Sequence, residues 1–280
     1  MKKKIMYLVM TAMLTGLLLM GCNSNDTAET SGQDTAGEET AEDDGYRYVT
    51  AAETVEIAKA GGSHVLDVRE WSNYAEGRVA DSEWCPIFPL EDETLVDDMT
   101  AYAEEKLKDG DSIYIICNSG KRGAEKTTEV LTEAGIDASL IYTVEGGAEA
   151  LGKEKNALTT DRSEENIQWR YATGEETLES TDVQIIDVRD DENYDAGHLK
   201  DSIHQDLTDY ESSEAQTGMY NLGTADLDAE QPVYFLCYSG NKCAKTAVSV
   251  LKDAGFNVDN LFIIEEGAKG SAISDAFVTE

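Results

Sequence analysis

The chain repeats itself, and the repeat constrains its architecture more than any other feature. Asp67, Val68 and Arg69 recur as Asp187, Val188 and Arg189, and Asn73, Tyr74 and Gly77 recur as Asn193, Tyr194 and Gly197. The offset is 120 residues. It also carries Cys117, Ser119 and Gly120 onto Cys237, Ser239 and Gly240, Ala134 and Gly135 onto Ala254 and Gly255, and Gly147 onto Gly267. No insertion or deletion accumulates between these anchors, so two copies of one domain are expected, near residues 46–155 and 166–280. A unit of this length can bury a core of its own, unlike a solenoid repeat, and a hydrophobic content of 41% is enough to supply it.

Within each copy short apolar runs alternate with helical patterns. His64 to Val68, Ser112 to Ile116, Gln184 to Val188 and Val233 to Leu236 read as buried strands. Thr94 to Leu107 and Arg122 to Glu133 place apolar residues at helical spacing, and Gly135 stands where a helix-ending glycine belongs. Strands alternating with helices predict an α/β fold, a mainly parallel sheet flanked by helices in each copy, with the ligand site beyond the carboxyl ends of the strands.

The first 22 residues fall outside that fold. Lys2, Lys3 and Lys4 precede a mostly apolar run, Ile5 to Met20, too short for a comfortable membrane span, and Gly21 precedes Cys22. The segment resembles a bacterial lipoprotein signal, with Leu19, Met20, Gly21 and Cys22 as its cleavage box. That resemblance implies removal of residues 1–21, a lipid on Cys22 and a place on the exported side of the cell membrane; an uncleaved anchor or an ordinary secretory signal are the alternatives. Residues 22–45 are acidic and small, and read as a flexible tether. The whole chain carries 22 Lys and Arg against 57 Asp and Glu, a net charge of −35. Such a balance argues against a nucleic-acid partner, whose phosphates require a cationic face.

Against this acidity the run Cys117, Asn118, Ser119, Gly120, Lys121, Arg122 stands out. It follows a strand and opens a helix, so the cysteine sulfur is expected to face loop N–H groups and a helix N-terminus, an arrangement that favours a nucleophilic thiolate. Gly120 permits the tight turn, and Lys121 and Arg122 add positive charge. The second copy reads Cys237, Tyr238, Ser239, Gly240, Asn241, Lys242, a less cationic loop.

Taken with the Asp-Val-Arg runs, the Tyr74 and Gly77 pair and the turn Glu145, Gly146, Gly147, these loops resemble the rhodaneses, a family of sulfurtransferases, over nearly all of residues 46–280. The resemblance implies a ping-pong reaction. Cys117 and Cys237 stand at the nucleophile position and would take a sulfane sulfur from a small anionic donor such as thiosulfate, then pass it to a thiol or cyanide. The remaining loop residues would bind the donor, and Asp67, Arg69, Asp187 and Arg189 would fix the strand ends. No cofactor is implied. No metal is expected either, because the only histidines are His64, His198 and His204, and no Cys or His pair has zinc spacing.

Three departures from the family pattern qualify the expectation. The Gly-His-Ile-like turn survives as Gly197, His198, Leu199 but reads Gly77, Arg78, Val79 in the first copy, so residue 78 is not expected to be essential. The tryptophan that often follows the double glycine is replaced by Leu151 and Ser271, and the second closing segment, Glu266, Gly267, Ala268, reads as degraded. Both copies keep a cysteine; loop charge and the intact double glycine assign the main activity to Cys117. Cys85 reads as structural, and Cys243, one turn into the helix after the second loop, as a bystander or a partner for an oxidised Cys237. Phosphatases related to this fold place an arginine after a loop one residue longer; that spacing would need it at position 123, where the chain has Gly123. The stronger rival is a non-catalytic binding or sensing module on the same fold.

Overall fold

The structure, a computed structural model, describes residues 45–279; the signal segment, Cys22 and the tether up to residue 44 lie outside the described residues. Two copies of a parallel α/β domain follow one another. The first comprises β1 (Tyr48–Val49), α1 (Ala51–Ala60), β2 (His64–Asp67), α2 (Trp71–Ala75), β3 (Glu83–Trp84), α3 (Glu93–Lys106), β4 (Ile113–Ile116), α4 (Arg122–Glu133), β5 (Ile141–Val144) and α5 (Gly147–Leu151). The second comprises β6 (Arg170–Ala172), α6 (Gly174–Glu179), β7 (Gln184–Asp187), α7 (Asp191–Ala196), β8 (His198–Leu199), β9 (Ile203–His204), α8 (Ser213–Ala225), β10 (Val233–Leu236), α9 (Lys242–Asp253), β11 (Leu261–Ile264), α10 (Ser271–Ser274) and β12 (Phe277–Val278).

The sheets run β1-β5-β4-β2-β3 and β6-β11-β10-β7-β9, every neighbour parallel. The registers repeat: His64 pairs with Ile113 and Asp67 with Ile116, as Gln184 pairs with Val233 and Asp187 with Leu236. Central strands must be apolar on both faces. In β4, Ile113 and Ile115 join Leu66, Met99 and Leu131 on one side, while Ile116 joins Val65, Val144 and Leu151 on the other. A small antiparallel pair, β8 with β12, closes the second copy; in the first, Arg78 and Thr159 form a single bridge in its place.

Local chemistry sets the helix ends. Thr50 and Glu53 form a capping box on α1, as Thr173 and Glu176 do on α6, where the offset is 123 because the copies differ in length upstream of the Asp-Val-Arg runs. α4 ends on Gly135 at φ +91°, with the Gly135 N–H donating to the Thr132 carbonyl and the Ile136 N–H to that of Leu131. Gly255 and Phe256 repeat this Schellman closure on Lys252 and Leu251.

At the start of β2, His64 Nδ1 lies 2.6 Å from Glu83 of the edge strand β3, and Nε2 3.1 Å from Asp109. Burial pulls the imidazole pKa down, but the two carboxylates outweigh it and the net direction is upward. The charged pairings therefore stabilise the fold fully below the unfolded value, about 6.5, and that contribution is lost as pH rises through the higher folded value. Thermal melts at pH 6 and pH 8 are expected to show a loss of stability with rising pH that is smaller in His64→Gln. An equal loss in both proteins would refute this.

Candidate active site

Both cysteines begin at the carboxyl end of the central strand, at the point where the chain leaves β4 or β10 for a helix. Cys117 and Cys237 are each only 2% exposed. Lys121 and Asn241 precede the two helices with nearly the same backbone angles, φ −131°, ψ −122° and φ −134°, ψ −130°. The second copy's helix therefore starts in the register of the first.

A glycine turn from the next strand seals each loop. Gly147 (φ +57°) packs so closely that a Cβ there would lie 2.2 Å from the Cys117 carbonyl oxygen and 2.7 Å from the Gly120 nitrogen. Gly267 (φ +53°) would meet the Cys237 carbonyl oxygen at 2.1 Å. The following N–H groups, of Ala148 and Ala268, each donate to the cysteine carbonyl at 2.8 Å. The degraded closing segment expected in the second copy is thus corrected. Glu266 adopts the left-handed conformation (φ 58°) that Gly146 (φ 70°) takes in the first, and the seal on the cysteine carbonyl is the same.

In the second loop the Asn241 N–H donates to Cys237 Sγ at 3.3 Å, the only hydrogen bond to either cysteine sulfur among the described residues. Tyr238 then ties the loop to the strand-end motif: its hydroxyl donates to the Asp190 carboxylate and accepts from the Asp190 N–H at 3.1 Å. The tyrosine and the Asn193 N–H groups hold the Asp190 carboxyl down to about 2, while burial, reinforced by that carboxylate, pushes the Tyr238 hydroxyl up to about 12. Asn118 and Glu70 occupy the corresponding positions of the first copy.

The Asp-Arg pairs brace the turns below the loops. Arg69 Nε and Nη2 donate to Asp67 at 2.9 and 2.6 Å, and Arg189 repeats both distances on Asp187. Nη2 also reaches the Gly77 or Gly197 carbonyl, at 2.8 and 2.7 Å. The copies differ at Nη1. In Arg69 it donates to the Asn73 carbonyl at 3.0 Å; in Arg189 it has no acceptor among the described residues. Arg189 instead lines a cavity of about 360 Å³ with Asn193, Tyr238, Lys269 and Phe277.

Of the other expected donor-binding groups, Ser119 is half-buried, whereas Ser239 and the side chains of Lys121 and Arg122 are exposed. Lys242 is turned aside: its ammonium donates to the Tyr210 hydroxyl at 2.8 Å and lies 3.6 Å from Asp161. Cys85 is buried, which pushes its thiol up to about 12, and no disulfide joins the described cysteines. Among the described residues no group of three or more His, Cys, Asp or Glu side chains is arranged to hold a metal, and no helix is long and apolar enough to cross a membrane.

Sequence reasoning gave no role to the contact between the copies, where residue 78 proves to be architectural. Arg78 is 1% exposed; its guanidinium pairs with Glu165 and donates to the Thr159 carbonyl at 3.2 Å. Arg162, fully buried, donates from Nε to Gln216 at 2.8 Å and from Nη1 to Asp253 at 2.7 Å and Ser249 at 3.1 Å. It lies over the rings of Trp71 and Tyr74, each 5.2 Å away, and Trp71 stacks on Tyr220 of α8 at 4.0 Å. Burial alone would raise the Asp253 pKa, but Lys252 and Arg162 hold it below the usual carboxylate range. The segment that joins the copies is thereby built into the space between them.

The chain belongs to the rhodanese-like domain family, whose sequence profile matches residues 50–154 and again 172–272. Among solved structures, a thiosulfate sulfurtransferase from Pseudomonas aeruginosa is 14% identical over 83% of this chain and 43% of its own length, with a TM-score of 0.38. A rhodanese-related protein from Thermoplasma volcanium is 28% identical over 41% of this chain and 99% of its own, with a TM-score of 0.30. A yeast protein tyrosine phosphatase of the Rhodanese family is 19% identical over 41% and 92%, with a TM-score of 0.33. No curated protein matches the chain.

Proposed function

We propose that the chain is a sulfurtransferase that takes a sulfane sulfur from a small anionic donor such as thiosulfate and passes it to a thiol or cyanide through a cysteine persulfide. The observation that carries this reading is the Asn241 N–H directed at Cys237 Sγ, at the start of α9 and inside a loop sealed by Gly267. A thiolate in such a place is stabilised by backbone dipoles without a counter-ion. It attacks the outer sulfur of thiosulfate, the donor's S–S bond breaks, sulfite leaves with the bonding pair, and the persulfide stays beside the Asn241 N–H.

Loop charge and the intact double glycine rank Cys117 first. The sulfur-directed N–H gives Cys237 the stronger claim, and we assign it the larger share. We also propose that lipid on Cys22 holds the protein to the exported face of the cell membrane, a reading supported by the signal-like residues 1–22.

The full chain, reduced and incubated with thiosulfate, is expected to gain one sulfur that maps to Cys237, with less on Cys117. Thiocyanate formation from cyanide should fall most in Cys237→Ser and vanish in the double Ser variant. Loading confined to Cys117 would reverse the ranking. A folded protein that loads neither cysteine from several donors would instead be a binding module on the rhodanese fold.

A further inference from the structure

The helix after each cysteine loop differs at one position that faces the cysteine. In the first copy this is Gly123. A Cβ placed on it would lie 3.0 Å from Cys117 Cβ and 2.6 Å from the ring of Phe88, so the glycine makes room for that ring against the cysteine. In the second copy the repeat offset puts Cys243 at the glycine position and Thr208 at that of Phe88. The ring has gone and a thiol has entered. Because α9 starts in the register of α4, Cys243 stands on the helix turn that faces Cys237, as Gly123 faces Cys117. Cys237 also counts among the groups that act electrostatically on the Cys243 thiol, and both side chains pack in the same core cluster.

We infer that Cys243 is the resolving thiol of the second site: it displaces the outer sulfur of a Cys237 persulfide as hydrosulfide and closes a Cys237–Cys243 disulfide. The inference rests on the sulfurtransferase reading of the Cys237 loop.

In this step Cys243 Sγ attacks Cys237 Sγ, the inner sulfur, which is the one its Cβ position brings within reach. The bond between Cys237 Sγ and the outer sulfur breaks, and the outer sulfur leaves with the bonding pair. It takes up the Cys243 proton and departs as HS⁻. Burial, then the neighbouring Cys237, push the Cys243 thiol up to about 11, so the attacking thiolate forms only as its proton passes to the outer sulfur of the persulfide. An external dithiol restores both thiols by ordinary exchange. The first copy has glycine in place of Cys243, so it lacks this thiol and would hand its sulfur to an outside acceptor. The two sites would then differ in product: hydrosulfide from the second, a transferred sulfane sulfur from the first.

The test uses the full chain carrying Cys117→Ser, loaded with thiosulfate and freed of donor in the absence of other thiols. Hydrosulfide release and peptide mapping are followed against time, with Cys243→Ser and Cys243→Gly for comparison. One equivalent of hydrosulfide and a linked Cys237–Cys243 peptide are expected, and in both variants the Cys237 persulfide should persist at least about tenfold longer. Equal persulfide lifetimes with and without Cys243 overturn the inference.

If Cys237 accepts no sulfur at all, the sulfurtransferase reading fails instead. The pairing is then read with diamide, a two-electron thiol oxidant, which should link Cys237 to Cys243 in preference to any other pair. Failure of that linkage overturns the geometry as well.

Discussion

In a Gly147→Ala variant, Cys117 is expected to lose its capacity to take up sulfur while Cys237 keeps its own. The added methyl group would lie 2.2 Å from the Cys117 carbonyl oxygen and 2.7 Å from the Gly120 nitrogen. Both contacts are to backbone, so no side-chain rotation relieves them, and the sealing turn must move off the loop. The Ala148 N–H then loses the Cys117 carbonyl, and the left-handed angle of residue 147 adds its own cost for alanine. Together these should destabilise the first copy by about 3 kcal/mol. Gly135→Ala is the control: it carries a similar backbone penalty at φ +91°, but its Cβ would meet nothing within 4 Å. It should cost only about 1 kcal/mol and leave both cysteines reactive. Denaturant titration with peptide mapping of the loaded protein checks both. Normal loading of Cys117 in Gly147→Ala would show that the seal does not govern the loop.

Arg162→Met is expected to lower stability by about 3–5 kcal/mol, because it removes one of the two cations that hold a buried carboxylate and leaves two further buried acceptors without a donor. Asp253 would keep Lys252 at 2.9 Å but lose the 2.7 Å contact to Arg162, and Gln216 and Ser249 would each lose a donor. Methionine fills much of the volume over Trp71 and Tyr74 and supplies none of those hydrogen bonds. Lysine restores the charge but not the fork that serves three acceptors at once, so Arg162→Lys should recover less than half of the loss. Separate unfolding transitions for the two copies would accompany the change. Calorimetry showing one unshifted transition in Arg162→Met would remove the network from the account of the fold.

The two copies and their sheets are legible in the sequence because the offset never drifts between residue 67 and residue 267. The helix Arg122–Glu133 is read to the residue, since a left-handed glycine turn opens it and a glycine closure ends it. The strand read as His64 to Val68 stops one residue sooner. Val68 still donates to the Ile116 carbonyl at 2.9 Å but turns away towards Arg69. β1 and β6, two and three residues long, are too short to carry a period. Their position is nevertheless marked by Thr50 with Glu53 and Thr173 with Glu176, a capping signal present in the sequence at an offset of 123.

The core of the interface has no such signal. Arg162, Glu165 and Asp253 read like any other charges in a chain with 57 acidic residues, and only the fold shows their side chains to be buried. For Cys243 the sequence offers two readings, a bystander or a partner for an oxidised Cys237, and does not choose between them. That choice rests on Gly123 and Phe88 of the other copy, which meet only in three dimensions.

Position 78 has a consequence for how such a tandem can change over time. Duplication starts with two interchangeable halves, and His198 still stacks on Tyr194 within its own half. Arg78, at the matching place, reaches out to hold the connecting segment. Once one half has surrendered that position to its neighbour, the order of the halves is fixed. Swapping them, or replacing the first by a second copy of the last, would leave Glu165 buried without its clamp, so the lineage can diverge in each half but can no longer shuffle them.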